Sequence, residues 1–289
     1  MISALSNRSW RQVALSFVAT LWLTAGLAVA QNVAIVTDVS GKVTGPGPGP
    51  VTILSEIAAD ARVKLEPGAK LVALYVKSGD EYLFSGPSEV QFQAGGPKVL
   101  SGTPPQKRAS PVGKGGSVTI KPVNVAQAAY VMRSSRATAR IQLLTLSATR
   151  SLESSPEFRW RGIEGGGKYR FELTDDTGRS LYETEVQSTS LKLPASVALK
   201  EGASYTWEVS TRTPDNRRYV SAGDFTIAPA DIRAQAQALR PPSSAPVSDR
   251  VAYAAWLEQV ELRDEARKYW QVLSKERPED EKLKALAAE

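Results

Sequence analysis

The chain has 289 residues, of which 42% are hydrophobic, with 36 lysines and arginines against 30 aspartates and glutamates. This length and apolar content predict two or three folded domains rather than a disordered chain. Cysteine and histidine are both absent, which excludes disulfide bonds, zinc sites built from these residues, cysteine nucleophiles and Ser-His-Asp catalysis. Because histidine is also the commonest acid–base residue, we expect no enzyme: no catalytic residue, no cofactor and no metal site.

The N-terminal stretch has the pattern of an export signal. Arg8 and Arg11 precede an apolar run over 13–29, which ends in Ala28-Val29-Ala30, an A-x-A-like cleavage site. The pattern predicts a signal peptide over 1–30 and a mature protein that is periplasmic. The alternative is an uncleaved anchor, because the run approaches the roughly 20 residues that span a bilayer. We expect membrane attachment only in that case, and no nucleic-acid partner in this compartment.

Residues 31–100 are rich in short strands. Val33, Ile35, Thr37 and Val39 occupy every second position of a first predicted strand, and strands are also predicted at 51–54, 62–65, 71–76, 81–84 and 89–92. Turn formers such as Glu66-Pro67-Gly68 separate them. Short strands at this spacing predict a compact β-roll or small sandwich.

Five segments of this module carry a resemblance. They are Val39-Ser-Gly-Lys-Val43, the stretch 54–60, the stretch 65–74, and the turns Ser78-Gly79-Asp80 and Ser85-Gly86-Pro87. Together they resemble the periplasmic FecR-type domain, with Ala59-Asp60 where that family has Gly-Asp. In iron-uptake regulators this domain follows a cytoplasmic anti-sigma segment. We expect no such segment here, because only about a dozen residues precede the apolar run, so the family's signalling role is not expected.

The stretch 101–138 is predicted to be a linker that contains a strand. Its first part, 101–122, is rich in Pro, Gly and Ser, which is typical of a surface loop. Strands are predicted at 128–133 and 140–146, where they either lead into the next module or close the first one.

Residues 139–229 show the clearest alternation in the chain. Apolar side chains occupy every second position in five runs: Phe158 and Trp160; Tyr169, Phe171 and Leu173; Leu191 and Leu193; Tyr205, Trp207 and Val209; Phe225 and Ile227. Glycine- and aspartate-rich turns separate these runs, so they predict an antiparallel sandwich. The module resembles a fibronectin type III or immunoglobulin-like domain. That resemblance implies that the Tyr205 hydroxyl bonds to upstream backbone.

Two motifs in the sandwich mimic catalytic signatures. Residues 162–169 match the spacing of a phosphate-binding P-loop except that Tyr169 replaces Ser or Thr, and Asp176-Thr177-Gly178 matches the aspartic protease triplet. A P-loop needs a helix behind it, whereas Tyr169 begins an alternating strand. The protease needs two such carboxylates. Both motifs are therefore predicted to be turns.

Residues 230–289 are predicted to be helical. A short helix over 231–239 and a hinge over 240–246 precede two helices with apolar residues at 3.6-residue spacing. These two helices resemble a single tetratricopeptide unit. One unit cannot bury its own apolar faces, so the tail must dock on its own chain, on another copy or on a partner. We predict Trp256, Tyr269 and Trp270 as partner-binding residues. Acidic residues over 276–281 are expected to complement the start of a last helix.

The predicted fold class is thus mainly β: a small FecR-like β-module, an immunoglobulin- or fibronectin-like antiparallel sandwich and a short α-helical C-terminal hairpin. The predicted function is an exported, non-enzymatic envelope protein that acts as a protein-interaction or scaffolding module with an envelope protein as partner. The alternative is a cell-wall or glycan-binding protein with a cell-wall polymer as partner. A row of exposed Trp or Tyr on one sheet face would favour the alternative, and a pair of carboxylates in a cleft would favour a hydrolase.

Overall fold

The computed structural model describes residues 31–113 and 140–288. The signal peptide predicted over 1–30 and the strand predicted over 128–133 lie outside the described residues. Within the described ranges the chain is mainly β, with seventeen strands followed by four helices. The predicted fold class is confirmed. The described residues from Asn32 onward belong to one compact unit.

Nine strands form the first module. They are β1 (Asn32–Ser40), β2 (Val43–Thr44), β3 (Glu56–Ala58), β4 (Arg62–Leu65), β5 (Lys70–Tyr75), β6 (Asp80–Ser85), β7 (Ser88–Gln93), β8 (Gly96–Ser101) and β9 (Gln106–Ala109). One antiparallel sheet has the order β3-β1-β5-β6-β9 and the other the order β2-β4-β7-β8. Side chains from both sheets, among them Val36, Tyr75, Val63 and Phe92, share one core.

Two segments of this module differ from the predicted strands. Val51–Leu54 forms a turn instead of a strand: the Thr52 amide donates to the Ser55 hydroxyl at 2.9 Å, and Leu54 has φ 62°, which a strand does not allow. Beyond residue 100, in the stretch predicted as linker, β9 pairs with β6. The first module therefore continues at least to Ala109.

The sandwich contains the next eight strands. They are β10 (Gln142–Leu143), β11 (Thr149–Ser151), β12 (Glu157–Arg161), β13 (Tyr169–Asp175), β14 (Ser180–Val186), β15 (Ser190–Lys192), β16 (Ser204–Arg212) and β17 (Arg218–Ile227). The sheets have the orders β10-β12-β15 and β11-β17-β16-β13-β14. All strand pairs in them are antiparallel except β11 with β17, which is parallel.

The alternating aromatic residues of the sandwich form its core. Phe158, Trp160, Phe171 and Trp207 are all buried there, and the Phe158 ring meets the Trp207 ring edge-on with 5.1 Å between centroids. The Tyr205 hydroxyl accepts a hydrogen bond from the Lys200 amide at 2.8 Å. The bond from Tyr205 to upstream backbone that the fibronectin-like resemblance implies is thus present.

The C-terminal part is helical, as predicted. Its helices are α1 (Ala230–Leu239), α2 (Val247–Gln259), α3 (Arg263–Glu276) and α4 (Glu281–Ala288). Every residue of α2 from Val251 to Leu257 is buried, which is typical of a helix enclosed on all sides. In the ranges that the structure describes, no helix combines the length and the apolar composition needed to cross a membrane.

The helical tail packs on its own chain. Ile35 of β1 and Leu74 of β5 join Trp256 of α2 and Trp270 of α3 in one apolar cluster, whereas their neighbours Ala34 and Ala73 belong to the core between the two sheets. Because successive strand residues point to opposite faces, β1 and β5 lie between the other sheet and the helices. The tail is therefore the third layer of the first module.

Candidate functional site

An arginine clamp joins the first module to the start of α2. Arg108 of β9 donates to Glu81 Oε1 at 2.5 Å from Nε, to Asp249 Oδ1 at 2.6 Å from Nη2 and to the Ser248 hydroxyl at 2.9 Å. Glu81, Ser248 and Asp249 are buried. One guanidinium thus holds two buried carboxylates that come from segments more than a hundred residues apart.

The clamp has an excess of negative charge. Burial raises the pKa of Glu81, and the bond from Arg108 opposes that rise without cancelling it. The second oxygen of Glu81, Oε2, is buried and has no hydrogen-bond partner. Since an unpaired buried carboxylate is costly, the clamp depends on Arg108.

A second ionic contact lies where β1 meets α2 and α3. Arg277 Nη2 lies 3.2 Å from Asp38 Oδ1, and Arg250 donates from both terminal nitrogens to Glu276, each at 2.7 Å. Burial raises the pKa of Asp38 although Arg277 opposes it. The hydrogen bond from Arg250 lowers the pKa of Glu276.

Backbone and side-chain hydrogen bonds fix the tail to the sandwich. The Leu146 amide donates to Asp264 Oδ2 at 2.7 Å, and the Thr149 hydroxyl donates to the Glu261 carbonyl at 3.0 Å. On the sandwich side, Trp207 Nε1 donates to the Leu146 carbonyl at 2.7 Å. Leu146 therefore links Trp207 in the core of the sandwich to Asp264 in the first turn of α3.

Replacing Asp264 with alanine should lower the free energy of unfolding by about 1.5–3 kcal/mol, because the Leu146 amide loses a charged acceptor. Asp264→Asn keeps an acceptor oxygen and should cost less than half as much. Urea denaturation of both variants measures the difference. Equal losses would mean that the carboxylate does not hold this junction.

A cleft opens between the sandwich and the helices beside Asp264. It has a volume of about 470 Å³ and is lined by Gln142, Leu143, Leu144, Thr145, Arg159, Arg161, Asp264, Arg267, Lys268, Gln271, Ala287 and Ala288. Four of these side chains are cationic and one is acidic. Burial raises the pKa of Asp264, and Arg267 Nη1 binds it at 2.9 Å. We name this site the basic cleft.

The three residues predicted to bind a partner lie elsewhere. Trp256 is 2% exposed and Trp270 is fully buried, and both belong to the cluster that holds the helices on β1 and β5. Tyr269 is partly buried against the same cluster, with its ring 5.0 Å from that of Tyr253. An interior side chain presents no surface, so the prediction is wrong for the two tryptophans: they anchor the tail within the chain.

Sequence reasoning missed the arginines of the basic cleft. Arg159 and Arg161 alternate with the buried Phe158 and Trp160 along β12, so their outward direction was readable from the pattern. The pattern could not show that α3 lies opposite these arginines, because α3 begins about a hundred residues later in the chain.

The two catalytic look-alikes are turns. Asp175 Oδ1 accepts hydrogen bonds from the Thr177 amide and the Arg179 amide, and Gly178 has φ 79°, a left-handed conformation that suits glycine. In the P-loop-like segment Gly165 has φ 73°, and Tyr169 begins β13. Because a strand and not a helix follows the P-loop-like segment, that segment cannot cradle a phosphate in the P-loop manner.

Within the acidic stretch at 276–281, Asp280 caps the last helix. Asp280 Oδ1 accepts from the amides of Lys282 and Leu283 at 2.9 and 3.1 Å, as expected for the start of α4. Among residues 31–113 and 140–288, no group of three or more acidic side chains is placed to hold a metal ion.

No protein-family model and no curated protein matches the chain, so the FecR-type and tetratricopeptide resemblances stay predictions. Several solved structures are similar to it. CopC from Methylosinus trichosporium OB3b aligns over 32% of this chain and 96% of its own, with 22% identity and a TM-score of 0.24. The fibronectin type III domain of human collagen alpha-1(XX) aligns over 39% and 96%, with 20% identity and a TM-score of 0.25.

PorZ, a surface component of the type-IX secretion system of Porphyromonas gingivalis, aligns over 64% of this chain but only 25% of its own length, with 14% identity and a TM-score of 0.21. With TM-scores this low, the sandwich fold rests on the sheets and the core described above.

Proposed function

We propose that the chain is an exported, non-enzymatic envelope protein that works as a protein-interaction or scaffolding module. The observation that carries this proposal is the position of the helical tail. It shares a core with the first module and is bonded to the sandwich at Leu146 and Thr149. Surfaces from three parts of the chain are therefore presented in one fixed arrangement, which suits a scaffold.

The distribution of aromatic residues supports a protein partner over a glycan. Trp160, Trp207, Trp256 and Trp270, the tryptophans within the described ranges, are all buried. In the five-stranded sheet of the sandwich, the outward side chains include charged pairs such as Arg170 with Glu183 and Arg218 with Glu208. The row of exposed aromatic residues that would favour glycan binding is not found in the part of the chain that the structure describes.

One feature of the sequence and one of the structure support the non-enzymatic part of the proposal. The chain has no cysteine and no histidine, so the commonest nucleophile and acid–base groups are missing. The arginine- and acid-rich contacts at Arg108 and Arg277 join parts of the chain to each other. Export is proposed from the signal pattern at 1–30.

Site-specific photo-crosslinking in living cells tests the proposal. A photoreactive amino acid replaces, one at a time, the exposed Leu100, Leu144, Val220 and Val272, which sample the first module, the basic cleft, the sandwich and α3. We expect the mature chain, beginning at Gln31, in the envelope fraction and ultraviolet-dependent adducts to a small set of discrete proteins from at least one position. Samples kept dark are the control. Adducts to polysaccharide alone, or none from any position, would reject the interaction role.

A further inference from the structure

The basic cleft contains two arginines that the fold does not neutralise. Arg267 binds Asp264 and the Leu144 carbonyl, and Lys268 pairs with Glu265 at 2.6 Å. Within the described ranges, the hydrogen bond from the Arg161 side chain goes to the amide oxygen of Gln142, at 3.2 Å. Among the described residues, no carboxylate forms an ion pair with Arg159 or Arg161. These two guanidinium groups are the cations that a ligand would meet.

The spacing of these arginines selects an extended ligand. Arg159 and Arg161 occupy positions i and i+2 of β12 and lie on the same, exposed face. Residues two apart in a strand are separated by about 6.5–7 Å, and the same repeat separates alternate side chains of any extended peptide. Carboxylates at alternate positions of such a peptide match the two guanidinium groups one to one, and a guanidinium binds a carboxylate through two parallel hydrogen bonds.

We propose that the basic cleft binds an extended acidic segment of a partner protein, with Asp or Glu at alternate positions. This inference rests on the proposed interaction function and specifies its partner. The remaining lining suits a peptide: Gln142 and Gln271 carry amides that can bond to peptide groups, and Leu144 is 37% exposed. None of the described residues that line the cleft is aromatic, so they offer no stacking surface of the kind that sugars use.

The test uses the mature full-length chain and two fluorescent peptides of identical composition. One peptide has glutamates at alternate positions separated by Ser and Leu, and the other has the same glutamates in one block. The variant R159E/R161E reverses both cleft charges. The matched control R62E/R212E makes the same charge change at two exposed arginines outside the cleft, neither of which has an acidic partner among the described residues. Fluorescence anisotropy measures Kd, and circular dichroism verifies that each variant is folded.

We expect the alternating peptide to bind more tightly than the block peptide, and R159E/R161E to weaken it by about tenfold or more, since charge reversal replaces attraction with repulsion. R62E/R212E should change Kd by no more than about twofold, and binding should weaken as salt shortens the screening length.

Four results would overturn the inference. Equal losses of affinity in the two double variants would mean that binding depends on net charge alone. Equal affinity for the two peptides would mean the same. Displacement of the peptide by polygalacturonate or inorganic phosphate at lower concentration than by unlabelled peptide would assign the cleft to another anion. A dimer that R159E/R161E dissociates would make a second copy the occupant. If photo-crosslinked protein partners persist in R159E/R161E, the scaffold proposal stands and this inference alone fails.

Discussion

Replacing Trp270 with alanine is expected to lower the free energy of unfolding by about 3–5 kcal/mol, the range found for tryptophan removed from a packed core. The indole is fully buried, and its Nε1 donates to Glu258 Oε1 at 3.2 Å. It belongs to the cluster that also contains Ile35 of β1 and Leu74 of β5. The loss should therefore destabilise the first module together with the helices. Urea denaturation, monitored by far-ultraviolet circular dichroism, measures it.

Val272→Ala is the matched control for this prediction. Val272 lies two residues further along α3 and is 50% exposed, so its truncation should change stability by no more than about 0.5 kcal/mol. If Trp270→Ala and Val272→Ala had equal small effects, the tail would not be docked on β1 and β5. A separate early transition for the helices alone would contradict the shared core in the same way.

The parts of the fold that the sequence predicted are those set by local periodicity. In the sandwich, alternation identified Phe158, Trp160 and Trp207 as core residues, because a strand has two faces and only one of them is buried. In the tail, the 3.6-residue spacing located α2 and α3. Both signals arise within a few residues of the chain, and neither depends on what packs from elsewhere.

The docking of the tail could not be predicted in the same way. An apolar helical stripe has the same pattern whether it covers its own chain or a partner, so Trp256 and Trp270 were assigned to a partner. One signal pointed the other way: the run Leu71–Tyr75 is apolar at every position, as is typical of a strand covered on both faces. That run shows that something covers the outer face, but it does not identify the helices.

The basic cleft depends on contacts between distant parts of the chain. Arg159 and Arg161 can be assigned to an exposed face from the pattern of β12 alone. Their proximity to Lys268 exists because Leu146 and Thr149 bind the start of α3. No periodicity within either element records that contact, so a charged site of this kind is visible only once the modules are assembled.

Arg108→Met is expected to lower the free energy of unfolding by about 2–3 kcal/mol at neutral pH. Breaking a buried ion pair by removing one partner costs about 3–5 kcal/mol, and we take less than that range because the Arg108 side chain is 42% exposed. Its partner Glu81 is only 2% exposed, so the carboxylate that remains is left charged in the interior. Urea denaturation at neutral pH measures the loss.

The pH dependence of this loss separates an electrostatic role of Arg108 from a packing role. Burial raises the pKa of Glu81 above its ordinary value of 4.5, so the stability linked to its protonation is fully present below pH 4.5 and is lost as the pH rises through the folded-state pKa. Without Arg108 that pKa rises further, and the variant should lose more stability than the wild type as the pH increases. The cost of Arg108→Met should therefore shrink when both proteins are unfolded at about pH 4.

Lys107→Met is the control for the clamp, because Lys107 precedes Arg108 on β9 and pairs with Asp80 at 2.9 Å on the exposed surface. Exposed ion pairs contribute little to stability, so this variant should behave like the wild type at both pH values. A loss in Arg108→Met that stays the same from acid to neutral pH would contradict an electrostatic role for the arginine. A loss that falls in acid identifies Arg108 as the cation that keeps Glu81 and Asp249 together, and with them β6 and α2.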